Sequence, residues 1–217
     1  MPLLNEQVKE QVKQQLDGLA SPVRLVMFTQ EFECQYCAET RQLVQEVASL
    51  SDQLEAEIYD FVADEQLAEE YGIDKIPAIA VVGEQDHGIR FYGIPSGYEF
   101  TSLLEAIQAV ARNKPELNDA TQAYLAELNQ AVHMQVFVTP TCPYCPQSVV
   151  LAHQMALASP LVRADMVEAQ EFPYLATKYQ VMGVPRTVIN ETTHVEGAAP
   201  ESMLLGKLQE AMASEEE

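Results

Sequence analysis

The feature that most limits what this chain of 217 residues can fold into is an internal repeat, displaced by 108 residues, that preserves chemically unusual positions. The four cysteines form two Cys-x-x-Cys pairs, Cys34-Gln35-Tyr36-Cys37 and Cys142-Pro143-Tyr144-Cys145. The same displacement carries Tyr71 onto Tyr179, Ile76 onto Val184 and Pro77 onto Pro185. In each copy 43 residues separate the first cysteine from the proline. Coincident offsets at such residues point to two copies of one unit of about 100 residues, the size of a small compact domain. The expected units are 1–114 and 115–217, divided at the breaker Arg112-Asn113-Lys114-Pro115.

Hydrophobic periodicity predicts the same element order in both copies. An amphipathic helix with Leu4, Val8, Val12, Leu16 and Leu19 on one stripe precedes the first repeat and ends at Gly18 and Ser21-Pro22. Residues 23–29 read as a buried strand. Cys34 opens a helix to about Leu50, followed by a strand at 57–62 and a short helix at 64–71. A hairpin of 78–82 with 89–92 and a helix at 99–111 complete the first unit. Asn118 or Asp119 caps the next helix, to about Asn129. The second unit continues with a strand at 134–139, a helix at 146–158, a strand at 161–167 and a short helix at 172–179. A hairpin of 187–190 with 193–196 and a helix at 201–212 end it. Each half therefore reads α-β-α-β-α-β-β-α, an α/β fold with a mixed four-stranded sheet flanked by helices.

Composition bounds the partners. Lys and Arg number 12 against 33 Asp and Glu, a net charge of −21. Such a body repels phosphate backbones and offers no basic patch to anionic lipid, so neither nucleic acid nor a membrane is an expected partner. The acidity reads as serving solubility, and Glu215–Glu217 as a solvated tail. No apolar run approaches the ~20 residues that cross a bilayer. Glu6 and Glu10 stand where a signal peptide is basic and then apolar, so the expected location is the cytoplasm. The four histidines share no spacing that supports a Cys–His or Ser–His–Asp hydrolase.

A bond within a Cys-x-x-Cys pair closes almost no loop and adds little entropic stability, so such a pair suits reversible chemistry or metal binding. A Cys-x-x-Cys at a strand-to-helix junction, followed by a strand entered through a hydrophobic-Pro pair, resembles the thioredoxin fold. Two such units in tandem are similar to the glutaredoxin-like protein disulfide oxidoreductases, most specifically over CQYCAETRQLVQEV at 34–47, FVTPTCPYCP at 137–146 and DMVEA at 165–169. The resemblance implies a dithiol–disulfide oxidoreductase acting on protein disulfides, with no cofactor beyond its redox-active disulfides. It also implies reduction by a thioredoxin-reductase-like flavoprotein. Cys34 and Cys142 would attack as thiolates stabilised at a helix N-terminus, and Cys37 and Cys145 would resolve the mixed disulfide. Pro77 and Pro185 are expected to be cis, with the backbone of Ile76 and Val184 free to pair with a substrate strand.

Other readings stay open at this level. Tyr36 and Tyr144 either contact substrate or are half-exposed packing. Glu57 and Asp165 align across the repeat, either as bases for the resolving thiols or as outward strand positions. Asp60 and Glu168 read as caps or surface groups, and Arg186 either attracts acidic substrates or offsets local charge. Two alternatives of other classes are a Cys₄ zinc module and a docking domain that relays electrons to one partner such as a peroxidase.

The two sites are not equivalent in charge. Glu31 and Glu33 precede Cys34, and nearby negative charge disfavours a thiolate. Pro140 and Thr141 precede Cys142, and Pro143 is expected to pre-organise the helix start. Titration of each thiolate in single-site variants is therefore expected to place Cys142 below Cys34. The reverse order would sink the asymmetry.

Overall fold

In the computed structural model, residues 2–214 are described, and the expected tail at Glu215–Glu217 lies outside the described residues. The first unit contains α1 (Glu6–Gln15), β1 (Val23–Thr29), α2 (Cys37–Ala48), β2 (Leu54–Asp60) and α3 (Glu65–Glu70). It ends with β3 (Ala78–Val82), β4 (Asp86–Tyr92) and α4 (Glu99–Arg112). The second repeats the order as α5 (Asp119–Ala126), β5 (Val132–Val138), α6 (Cys145–Ala158), β6 (Val162–Glu168) and α7 (Pro173–Lys178). Then come β7 (Arg186–Ile189), β8 (Thr193–Glu196) and α8 (Glu201–Ser214).

The inner strands carry apolar side chains on both sheet faces because both faces are covered. Side chains alternate along β1: Leu25 and Met27 join the larger core cluster, Val26 and Phe28 the smaller. The larger cluster takes apolar residues from α1, α2, α4, α5, α6 and α8, and the smaller is closed by the short helices α3 and α7. Asn5 and Asn118 cap α1 and α5 by accepting the amides of Val8 and Thr121. Asn113, in the left-handed region at φ 46°, ends α4 ahead of Pro115.

The two four-stranded sheets are one. Strand order is β2-β1-β3-β4-β6-β5-β7-β8, with β4 running parallel to β6 in the register Ile89↔Ala164 to Tyr92↔Val167. Each unit thereby covers an edge that would otherwise expose unpaired backbone groups. Gly88, at φ +75°, makes the approach possible: a Cβ there would lie 3.0 Å from the Val162 carbonyl oxygen.

An ionic cluster around the wholly buried Asp165 bridges this junction. Arg163 donates to the Gly72 carbonyl at 2.7 Å and the Tyr92 hydroxyl at 2.5 Å in the first unit. It also donates to Asp165 at 2.9 Å within its own strand. His133 on β5 meets the other Asp165 oxygen at 2.6 Å. Burial opposes a charged Asp165, but the hydrogen bond and charge of His133, and then Arg163, outweigh it and hold the carboxyl well below its usual range. His153 of α6 is wholly buried with its ring edge-on to Phe91, 4.9 Å between centroids. Desolvation pushes it down to about 4, so it packs as a neutral ring.

Several element limits move, each for a tertiary reason. The second strand begins at Leu54 rather than residue 57 because it pairs with β1 along its whole length, Val23↔Leu54 to Thr29↔Asp60. The first hairpin is tighter than expected because Asp86 pairs with Val82. Neither Cys34 nor Cys142 opens a helix: α2 and α6 start at Cys37 and Cys145. Pro143 consequently precedes α6, and Pro146 occupies its first turn.

Asp165 is wholly buried while Arg163 and His133 keep 28% and 36% of their side-chain exposure, so removing the carboxylate leaves partly solvated cations without their shared anion. Asp165→Asn is therefore expected to lower stability by about 1–3 kcal/mol in urea at neutral pH, between the values for exposed and buried pairs. A loss below ~1 kcal/mol, as exposed pairs give, would remove the cluster from its role at the junction.

Candidate active sites

Both Cys-x-x-Cys pairs are closed as disulfides, Cys34–Cys37 and Cys142–Cys145, with Cα atoms 5.5 Å apart in each. Each lies just beyond the C-terminal end of the first strand of its unit, β1 or β5, where the chain turns into a helix. The second cysteine of each pair is the first helical residue and is buried. Tyr36 and Tyr144 occupy the N-cap positions and supply no side-chain cap. The first-turn amides therefore keep free donor capacity beside the sulfur of Cys34 or Cys142. Exposure differs between the two: Cys142 is 7% exposed, Cys34 half-buried.

The Ile76–Pro77 and Val184–Pro185 bonds are both cis. β3 starts at Ala78 opposite Phe28 and β7 at Arg186 opposite Phe137, so each proline sits level with the strand end that leads into its disulfide. The proline carbonyls accept Gly93 N and Gly197 N. The backbone amide and carbonyl of half-buried Ile76 and Val184 make no hydrogen bond among the described residues. An extended peptide could pair there by strand addition.

The carboxylates aligned by the repeat are placed differently. Glu57 accepts from Arg24 at 3.0 Å and from the Tyr59 hydroxyl at 3.2 Å. Asp165 is engaged by Arg163 and His133. Their register partners, Val26 and Gln135, lie three residues before the strand ends, about 10 Å at the rise of a strand. No described contact of either carboxylate involves a cysteine loop. Asp60 is a cap, as its position suggested, accepting the amides of Val62 and Ala63. Glu168 caps the Glu171 amide at 2.6 Å but is buried, not a surface group.

Sequence reasoning missed two carboxyls that burial perturbs, Glu99 and Glu171. Gly97, at φ +59°, lies so close to Pro140 that a Cβ would fall 2.2 Å from its carbonyl oxygen, and Tyr98 N donates to that oxygen at 3.0 Å. The next residue, Glu99, opens α4, which packs against α6. Thus the first unit touches the approach to Cys142 through Tyr98, and the residue that follows carries a buried carboxyl. Desolvation pushes Glu99 up to about 7 against one hydrogen bond from the Ser102 hydroxyl at 2.6 Å, and its other oxygen has no partner. Glu171 accepts Ile94 N at 2.7 Å and is also pushed up to about 7, by burial. Burial raises Glu168 as well. An acid opening an amphipathic helix looks like an ordinary first-turn residue, so only the packing of the two units could have marked Glu99.

Around the sites, Tyr144 is 68% exposed and Tyr36 lies at the margin of exposure. Arg186 donates to Glu196 at 2.7 Å, which is local compensation. No group of three or more His, Cys, Asp or Glu among the described residues is placed to share a metal ion. No helix among them is long and apolar enough to cross a membrane.

Two Cys-x-x-Cys disulfides, each at a strand-to-helix turn level with a cis-proline strand in a repeated α/β unit, define a thiol–disulfide redox protein. The chain belongs to the thioredoxin domain family, whose model matches residues 26–105 and again 132–210. Among curated relatives it is 27% identical over 208 residues to the F component of alkyl hydroperoxide reductase of Staphylococcus aureus, covering 95% of this chain. It is 24% identical over 208 residues to a Bacillus subtilis protein named NADH dehydrogenase. The chain spans 38% of the length of both. Among solved structures, a protein disulfide oxidoreductase from Aeropyrum pernix matches with a TM-score of 0.89 at 30% identity, over 95% of this chain and 93% of that one. The NTD_N/C domain of alkylhydroperoxide reductase from Enterococcus faecalis matches with a TM-score of 0.87 at 26% identity, over 94% and 99%.

The raised Glu99 carboxyl has a pH signature. Unfolded, it ionises near 4.5; folded, near 7. Between these values the folded chain holds the extra proton, so stability falls as pH rises through the window and stays reduced above it. Glu99→Gln escapes this loss. Its stability relative to wild type is expected to rise by up to about 3 kcal/mol from pH 4.5 to pH 8. A flat difference across that range would contradict a buried, protonated Glu99.

Proposed function

We propose that the chain is a dithiol–disulfide oxidoreductase of protein disulfides in the cytoplasm, with two working sites and the second dominant. The observation that carries this reading is the pairing, in both units, of a disulfide with a cis-proline strand whose preceding residue keeps its backbone groups unpaired. The Cys142 thiolate attacks a substrate sulfur, forming a mixed disulfide while the substrate's other sulfur leaves and takes a proton. Cys145 then loses its proton and attacks the Cys142 sulfur, expelling the substrate's remaining sulfur, which takes a proton, and leaving a reduced substrate and an oxidised Cys142–Cys145 pair. Glu99, poised near neutrality, serves as acceptor for the Cys145 proton in preference to Glu57 or Asp165, which are held by cations. Cys34 and Cys37 act likewise in the first unit. Ile76-Pro77 and Val184-Pro185 dock the substrate strand, with Tyr36 and Tyr144 beside it. Two electrons from a thioredoxin-reductase-like flavoprotein restore the dithiol.

A second reading is relay to one partner such as a peroxidase. It is favoured by the similarity to the alkyl hydroperoxide reductase proteins. The general reading is preferred because both Cys-x-x-Cys pairs are kept.

Insulin reduction driven by dithiothreitol separates these. Activity that falls mainly in Cys142→Ser, with a smaller loss in Cys34→Ser, is the expected outcome. Equal losses would keep the enzyme and discard the dominance of the second site. No activity above background in the reduced chain would favour the dedicated relay.

A further inference from the structure

Beside the first disulfide lies a cleft of about 380 Å³ lined by Gln30, Glu31, Phe32, Glu33, Asp60 and Val62. The lining contains three carboxylates and no basic side chain. Glu31 and Glu33 are exposed, and neither carboxylate makes a hydrogen bond or ion pair among the described residues. Asp60 is held in place by the amides of Val62 and Ala63. Phe32 is 79% exposed and Val62 70%, so an uncovered aromatic ring and an aliphatic wall complete the cleft. The Gln30 side chain donates to the Phe32 carbonyl and braces the turn that presents the ring. Unpaired carboxylates around a bare aromatic ring match an ammonium or guanidinium, through charge and through the face of the ring.

We propose that the Cys34–Cys37 site is selective for disulfides flanked by a cationic side chain, Lys or Arg, which docks in this cleft. The proposal rests on the dithiol–disulfide reading above and adds a substrate class to one of its sites.

The second copy supplies an internal control. At the same offset, Thr139, Pro140 and Thr141 replace Glu31, Phe32 and Glu33, and Gln170 replaces Val62. Glu168, the counterpart of Asp60, is buried. The cleft nearest the second cis-proline has one cation and one anion, Arg186 and Glu196, already paired at 2.7 Å. The preference therefore belongs to the first site, over and above the pull that the whole chain, at net −21, exerts on any cation.

The test uses two full-length variants, each with one working pair: Cys142→Ser/Cys145→Ser and Cys34→Ser/Cys37→Ser. Each is reduced, freed of reductant and mixed with cystamine, a dication, or with 3,3′-dithiodipropionate, a dianion. The first thiolate attacks one sulfur of the probe and expels a small thiol. The second cysteine expels the other, so the protein dithiol is oxidised by two electrons and the probe is reduced to two thiols. Because the acidity of Cys34 affects both probes alike, the ratio of the two rate constants isolates recognition. At low ionic strength the cystamine preference of the first site is expected to exceed that of the second by about tenfold. It should converge on the second-site value as salt shortens the screening length from about 30 Å at 0.01 M to about 3 Å at 1 M. Glu31→Gln/Glu33→Gln should bring it there at low salt, and Phe32→Ala part of the way. Equal ratios at the two sites, or a first-site ratio unmoved by the double Gln variant, would overturn the cleft while leaving the oxidoreductase reading intact. Failure of both sites to react with either probe would overturn that reading and this one with it.

Discussion

The Arg163–Asp165 pair lies where β4 meets β6, and its burial dictates how the two units can be combined. A guanidinium taken out of water costs more than its Coulombic attraction returns unless every donor direction is used. Here the directions run to Asp165, the Gly72 carbonyl and the Tyr92 hydroxyl, two of which belong to the other unit. The pair is therefore satisfied only when the units are joined. Backbone pairing of β4 with β6 sets the distance, and the ionic cluster sets the register. One consequence reaches the chemistry: the loop after β4 is pressed onto Pro140, just ahead of Cys142.

This makes the two sites unequal despite a common scaffold. The approach to the second site is held by the first unit, with Tyr98 N bonded to the Pro140 carbonyl and the next residue, Glu99, buried. The first site has no such neighbour among its described contacts and stays open, its leading cysteine half-buried and its rim acidic. Repetition supplies the same sulfur chemistry twice; edge-to-edge joining closes one copy and leaves the other facing solvent.

The same distinction governs what could be read from the chain beforehand. The 108-residue offset carried the cysteine pairs, the prolines and the element order, because these depend on local residue type and period. The limits of β1 and β3 were legible to the residue, since runs buried on both faces are rich in apolar residues. Pairing partners were not legible. The start of β2 is polar at Glu55 and Glu57 and is made a strand by its neighbour β1. The union of the sheets depends on Gly88 and Arg163, ordinary residues until the units meet. Alignment of Glu57 with Asp165 was real, but equal positions in a repeat need not share neighbours: one pairs with Arg24 on its own sheet, the other closes the junction.

Carboxylates show most plainly how placement decides function in so acidic a chain. Glu31 and Glu33 stand in water at the rim of the first site. Glu99 and Glu171 have the same chemistry but are desolvated, and each holds its proton to about 7. A group that is half-protonated at neutral pH gives and takes protons with little penalty, which a fully ionised surface carboxylate does not. Thiol–disulfide exchange needs a proton removed from the resolving cysteine and a thiolate favoured at the attacking one. Buried carboxyls suit the first need without adding full negative charge beside the second. Exposed ones can only select what approaches. The chain withdraws Glu99 and Glu171 from water and leaves Glu31 and Glu33 exposed at the rim of the first site, so one residue chemistry is present both as proton-holding groups and as surface charge.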